Sequence, residues 1–258
     1  MTHGRIKIIC VDPIEKKPFL HFLPGTKTLS LAAVGCNFKC KYCENHEISQ
    51  CVFESESYLD TTPVHVYEDV DYLEPTSVID MAKEKDCKSV SFTYTEPTLI
   101  IEYVAEVFEL AHANGLKTCL VSNGFMTRET IDFIVPLTDA MNIDLKSFNP
   151  CDHLEMTGGH LIDVLEALED IASRDIWLEI STVLIPGFND SDMEIYGAAS
   201  FLKGLRQGIP WHLKKFYPTH EMSDCKPTTD DDILRAVKIA EKVGLINIHG
   251  ETSKETVK

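Results

Sequence analysis

From about residue 72 onward, short β-branched runs alternate with longer segments whose apolar residues recur at helical spacing. That alternation predicts a parallel sheet with helices packed on it. Strands are expected at 29–34, 89–93, 118–122, 141–145, 177–184 and 212–216, with a last candidate at 246–249. Between them, 97–113 sets Ile100, Tyr103, Val104, Val107, Leu110 and Ala111 on one stripe, and Asn114-Gly115 follows as a stop signal. Residues 160–173 repeat the pattern with Leu161, Val164, Leu165, Leu168, Ile171 and Ala172. Ser191 with Glu194 reads as a capping box, and Thr229 followed by three aspartates reads as a helix start. Shorter helices are expected near Thr76 or Ser77 and near Thr127. Residues 44–75 are the least regular stretch and read as a long functional loop. About six βα units are too few for the usual eight-stranded barrel.

Composition narrows the function classes. The chain has 258 residues, with 24 Lys+Arg against 41 Asp+Glu, a net charge of −17. Such a balance disfavours nucleic acid and anionic membrane surfaces, which draw their affinity from basic side chains. No run approaches the ~20 apolar residues of a membrane span, and the first residues lack a signal-peptide pattern. The expectation is a cytoplasmic protein of one domain, with reduced thiols and neither nucleic-acid nor membrane partners. No linker or change of composition divides it; 1–26 reads as an N-terminal extension and 27–250 as the main fold.

Nine cysteines then acquire meaning from their spacing. Cys36, Cys40 and Cys43 follow the first strongly apolar strand, where parallel sheets carry ligand sites. Three thiolates spaced in this way can hold a [4Fe–4S] cluster and leave one iron open for a ligand. The rival reading adds His46 to make a closed Cys₃His structural zinc site in a non-catalytic α/β protein. A domain of this size needs no zinc staple. The remaining six cysteines show no second cluster spacing; Cys10, Cys87, Cys119 and Cys225 read as small packed residues, and Cys51 and Cys151 as loop thiols.

The motif Cys36-x-x-x-Cys40-x-x-Cys43, with Tyr42 before its last cysteine, resembles the signature of the radical S-adenosylmethionine (SAM) superfamily. Further matches end successive strands: Ser91-Phe-Thr-Tyr-Thr-Glu-Pro-Thr98, Leu120-Val-Ser-Asn-Gly-Phe125, Asn142-Ile-Asp-Leu-Lys146 and Leu184-Ile-Pro-Gly-Phe-Asn-Asp190. The series is similar to the pyruvate formate-lyase activating enzyme branch. Val11-Asp-Pro-Ile-Glu-Lys-Lys-Pro18, His21-Phe-Leu-Pro-Gly25 and His46-Glu-Ile-Ser-Gln50 bring it closest to the AmmeMemoRadiSam-system enzymes.

The resemblance implies a partial (β/α)6 TIM-type barrel, open on one side, in a single radical SAM domain. It implies a [4Fe–4S] cluster on Cys36, Cys40 and Cys43, and an oxidoreductase that cleaves SAM reductively to a 5′-deoxyadenosyl radical for hydrogen abstraction. The substrate it suggests is a glycyl-radical-type or other protein, with a small molecule equally admissible. Glu96 is assigned to the methionine ammonium, although a carboxylate ahead of Pro97 equally suits a helix start. Thr95 stands where the family often has glycine; Ser122, Asn123 and Tyr42 match cofactor-contacting positions. Asp144 and Lys146 share a strand face, and without the resemblance would read as an intramolecular pair. His212, Lys214 and Phe216 alternate on a strand, facing either the barrel interior or its opening. The implied reductant is an electron donor such as a ferredoxin or flavodoxin, usually acidic proteins, for which Lys39 and Lys41 form a local docking spot.

Overall fold

The computed structural model describes residues 3–50 and 72–253, with the backbone alone at 256–257. Nine strands form one sheet in sequence order: β1 (Ile6–Pro13), β2 (Lys27–Ala33), β3 (Ser89–Phe92), β4 (Lys117–Ser122), β5 (Ala140–Asp144), β6 (Trp177–Leu184), β7 (Trp211–Lys215), β8 (Ile248–Glu251) and β9 (Thr256–Val257). From β2 to β8 every neighbour is parallel, while β1 and β9 add antiparallel edges. Among the described residues no pairing joins the two edges, so the barrel stays open as expected.

Crossover helices cover the outer face: α1 (His46–Ser49), α2 (Pro75–Glu84), α3 (Ile101–Ala113), α4 (Arg128–Ile134), α5 (Pro150–Thr157), α6 (Leu161–Ser173), α7 (Asp192–Leu205) and α8 (Asp230–Val243). The stripes read from the sequence are the buried ones, with Val104, Val107 and Ala111 of α3 and Val164, Leu168 and Ile171 of α6 inaccessible. The stretch 97–113 is divided, because Pro97 opens a 3₁₀ turn over Pro97–Ile100 before α3 begins. The Thr229 capping box is complete, with Asp232 reciprocating. At Ser191 only half of the box forms: its hydroxyl accepts from the Glu194 amide, but the Glu194 carboxylate instead takes Ser147 Oγ at 2.6 Å and the Phe148 amide at 2.8 Å. A tie to the β5–α5 loop thus replaces the local bond. Cys151 lies in the first turn of α5 rather than in a loop, and Cys51 falls outside the described residues.

The N-terminal extension is part of the barrel. Alternating Ile6, Ile8 and Cys10 with polar or exposed neighbours gives an edge strand that pairs with β2. The chain then crosses the N-terminal end of the sheet, where Ile14 and Phe19 pack on Cys119 and Ala140. Asn142 donates to the Pro18 carbonyl at 3.0 Å, and Glu179 accepts the amides of Leu20 and His21, each at 3.1 Å. This floor closes one end of the barrel and leaves the C-terminal strand ends open.

Candidate active site

At those open ends lies a cavity of about 440 Å³. Its wall brings together every site residue picked out by the sequence: Cys36, Cys40, Tyr42, Cys43, Thr95, Glu96, Ser122, Asn123, Asp144 and Lys146. They come from β2 to β5 and the turns after them. Sequence-distant residues converge here because parallel strands in register deliver their C-terminal ends to one side.

The cysteine loop is held by specific contacts. Phe38 is buried against Phe125 and His153, with ring centroids at 5.2 and 5.7 Å. A Cβ placed on Gly159 would come within 2.1 Å of the Phe38 ring, so only glycine permits that approach. The amides of Lys39 and Lys41 donate to the Thr157 and Met156 carbonyls at the end of α5. Asn123 Nδ2 donates to Asn37 Oδ1 at 2.6 Å, and Asn37 Nδ2 donates to the Phe125 carbonyl at 2.9 Å, joining the loop to the end of β4.

The thiols open on one cavity without converging on a point. Among the described residues, no three His, Cys, Asp or Glu side chains gather closely enough for a single metal ion. A tetrahedral zinc holds all its sulfurs at ~2.3 Å, whereas a [4Fe–4S] cluster spreads its cysteine bonds over separate irons. The donor set fits the cluster. His46, the fourth ligand of the rival reading, stacks its ring on His220 at 4.3 Å and donates from Nδ1 to the Cys43 carbonyl at 3.1 Å. Burial pushes the Cys36 thiol up to about 12, with the Glu96 carboxylate adding to it, and burial pushes Cys40 up to about 11. Without an electropositive ligand both stay protonated at neutral pH.

Glu96 is 2% exposed and well supplied with donors. Its Oε1 accepts from the Thr98 amide at 3.1 Å and Ser122 Oγ at 2.9 Å, and its Oε2 from the Asn123 amide at 2.9 Å. Burial dominates and raises its pKa, against the pull of these donors. Both readings of the residue therefore have a place: it caps the turn at Pro97 and it faces the cavity. Thr95 spends its hydroxyl on the Ala33 carbonyl at 2.7 Å. Asp144 and Lys146 do pair, at 3.0 Å. Burial alone would lower the Lys146 pKa, but the Asp144 carboxylate reverses the sign and raises it. Tyr42 is buried, its pKa raised by that burial, with Lys146 Nζ 6.0 Å from its ring centre.

Sequence reasoning missed a second layer. Tyr94, with φ +68°, occupies a left-handed conformation just before Thr95. Asn45 Nδ2 holds its carbonyl at 3.0 Å, its hydroxyl donates to Asp12 at 2.7 Å, and buried Lys17 lies 3.8 Å from its ring centre. The non-glycine residue at the motif's usual glycine position was the available signal. Of the three alternating residues on β7, His212 binds Glu179 at 2.6 Å inside the barrel, while Lys214 and Phe216 line the cavity. Lys41 is paired with Glu155 at 3.0 Å, so the cationic spot beside the cluster loop is partly neutralised.

An open parallel barrel with a three-cysteine loop at its C-terminal face defines a class of enzyme. The profile of the radical SAM superfamily matches residues 31–197, and the chain belongs to that superfamily. It is 31% identical over 244 residues to an uncharacterized protein of Methanocaldococcus jannaschii, covering 94% of this chain and 69% of that one. It is 26% identical to the pyruvate formate-lyase 1-activating enzyme of Escherichia coli K12 over 193 residues, 70% of each chain. A domain of a pyruvate formate-lyase-activating enzyme from Bacteroides vulgatus superposes with TM-score 0.55 at 22% identity, over 63% of this chain and 99% of that one, a likeness of fold. The protein is an enzyme of the radical SAM type, and none of its described helices is long and apolar enough to cross a membrane.

Proposed function

We propose that Cys36, Cys40 and Cys43 hold a [4Fe–4S] cluster and that the adjoining cavity binds SAM. Together these groups supply one-electron cleavage of the S–C5′ bond and a 5′-deoxyadenosyl radical that abstracts hydrogen from the substrate. The observation that carries this reading is the shared cavity: three free cysteine thiols face the same space as a buried carboxylate and an Asp–Lys pair.

The chain's own residues bind and orient. Glu96 Oε2 accepts one hydrogen bond, from the Asn123 amide, and keeps capacity for an ammonium group. Lys146 offers its amine to a carboxylate, and Asp144 takes up the remaining charge. Tyr42 supplies an aromatic wall. Ser122 and Thr95, whose hydroxyls are engaged with protein, act by positioning Glu96 and the strand end. Asn123 ties that strand end to the cysteine loop. The floor at 14–22 excludes water from below. The relatives named as activating enzymes support a partner protein as hydrogen donor and a small redox protein, such as a ferredoxin or flavodoxin, as reductant.

The test is spectroscopic. Anaerobically reconstituted protein reduced to the [4Fe–4S]⁺ state is expected to show an electron paramagnetic resonance signal that changes shape when SAM is added. A signal indifferent to SAM contradicts binding at the open iron.

A further inference from the structure

Among the described residues five lysines line the cavity, and four of them face an anion. Lys16 and Lys17 bind Asp12 at 3.0 and 2.7 Å, Lys146 binds Asp144 at 3.0 Å, and Lys215 binds Asp230. Lys214 is the exception: among the described residues its side chain has no ion pair and no hydrogen bond. Nearby, Glu251 Oε2 accepts the Lys215 amide at 3.1 Å and Glu179 is bound by His212, and among the described residues neither carboxylate forms an ion pair with Lys214. Lys214 is half-buried and pairs in register with Val183, another cavity-lining residue, so its strand position faces inward. An ammonium that makes no ion pair keeps its three donors available to an anionic ligand.

Its position indicates which ligand. The residues assigned to SAM stand after β3, β4 and β5, beside the cysteine loop that follows β2. Lys214 stands on β7, two strands further along the sheet than β5, and Phe216 and Tyr217 just after that strand line the same cavity. We propose that Lys214 binds an oxyanion of the substrate, a carboxylate or a phosphate group. The proposal rests on the radical SAM reading of the site for the word substrate, but the anion site itself does not.

The test uses cluster-loaded, SAM-bound protein under anaerobic calorimetric titration. The probes are inorganic phosphate, succinate and, as a neutral stand-in for peptide groups, succinamide. Phosphate or succinate is expected to bind, to weaken about tenfold or more in Lys214→Gln, and to recover in Lys214→Arg, as charge-assisted bonds require. The tighter of the two anions identifies the oxyanion. The affinity for SAM, read from the same resonance change, is expected to be equal in Lys214→Gln and wild type. The proposal is overturned if neither anion binds, if Lys214→Gln binds them as well as wild type, or if succinamide binds equally. It is also overturned if Lys214→Gln loses SAM, because the amine then serves the cofactor. Lys214-dependent anion binding by a protein that makes no 5′-deoxyadenosine would remove the radical reading and leave the anion site standing.

Discussion

At the scale of single residues, the site is built so that its charged groups hold one another until a ligand arrives. Lys146 and Asp144 are the clearest case. Lys146→Met removes the partner of a carboxylate at the cavity wall, and we expect SAM affinity to fall by about tenfold or more, the loss typical of a charge-assisted bond. Equilibrium binding of SAM to the reconstituted variant checks this, and an unchanged affinity removes Lys146 from the binding set. A second residue acts through shape. Gly159→Ala drives a methyl group into the Phe38 ring, and overpacking of that kind costs about 1–3 kcal/mol. Urea denaturation measures it, and Phe38→Leu in the same chain is expected to restore part of the loss. The cysteines, Tyr42, Glu96 and the Asp144–Lys146 pair were legible in sequence because each sits at a strand end in a recognisable spacing. Tyr94 and Lys17 were not, because what distinguishes them is a backbone angle or a burial, and Lys214 was legible only as a strand residue on one of two faces, not as the cavity lysine without an ion pair.

At the scale of elements, the strands and helices followed the hydrophobic period closely from β3 onward, where buried parallel strands and amphipathic helices give strong signals. β1 escaped because an antiparallel edge strand with one solvated face has a weaker pattern, and the floor segment has no period at all. The capping box at Ser191 half-failed for a tertiary reason, the competing Ser147 and Phe148 donors. Between β4 and β5, Asp139 joins elements by charge. Burial would raise its pKa, but Lys117 at 2.6 Å, His112 at 2.8 Å and the Thr118 amide overcome this and lower it. A carboxylate with a depressed folded-state pKa stabilises the fold above its unfolded value of about 3.9 and loses that contribution as pH falls through the folded value. Asp139→Asn is therefore expected to be less stable than wild type near neutrality, with the gap closing as acid is added. Denaturant midpoints measured from pH 6 to pH 3 check the sign, and a gap that widens in acid contradicts it.

At the scale of the whole molecule, a net charge of −17 repels the acidic redox proteins that would reduce a cluster. The cysteine loop offsets this locally with Lys39 and Lys41, although Glu155 claims part of the second. Reversing both lysines to glutamate is expected to slow reduction by a flavodoxin about tenfold at low salt, and less at high salt, where screening shortens the reach of charge. Stopped-flow reduction checks it; equal rates at low salt rule out steering there. The open barrel, its floor made by the N-terminal segment and its cavity at the strand ends together concentrate the chemistry in one place, and that place depends on three thiols. The most direct measurement is anaerobic reconstitution with iron and sulfide, followed by reduction with SAM present and assay for 5′-deoxyadenosine. The account predicts brown protein with about four irons per chain, formation of 5′-deoxyadenosine, and loss of both in Cys43→Ala. A fully loaded cluster that yields no 5′-deoxyadenosine, or a Cys43→Ala variant that behaves as wild type, would contradict it.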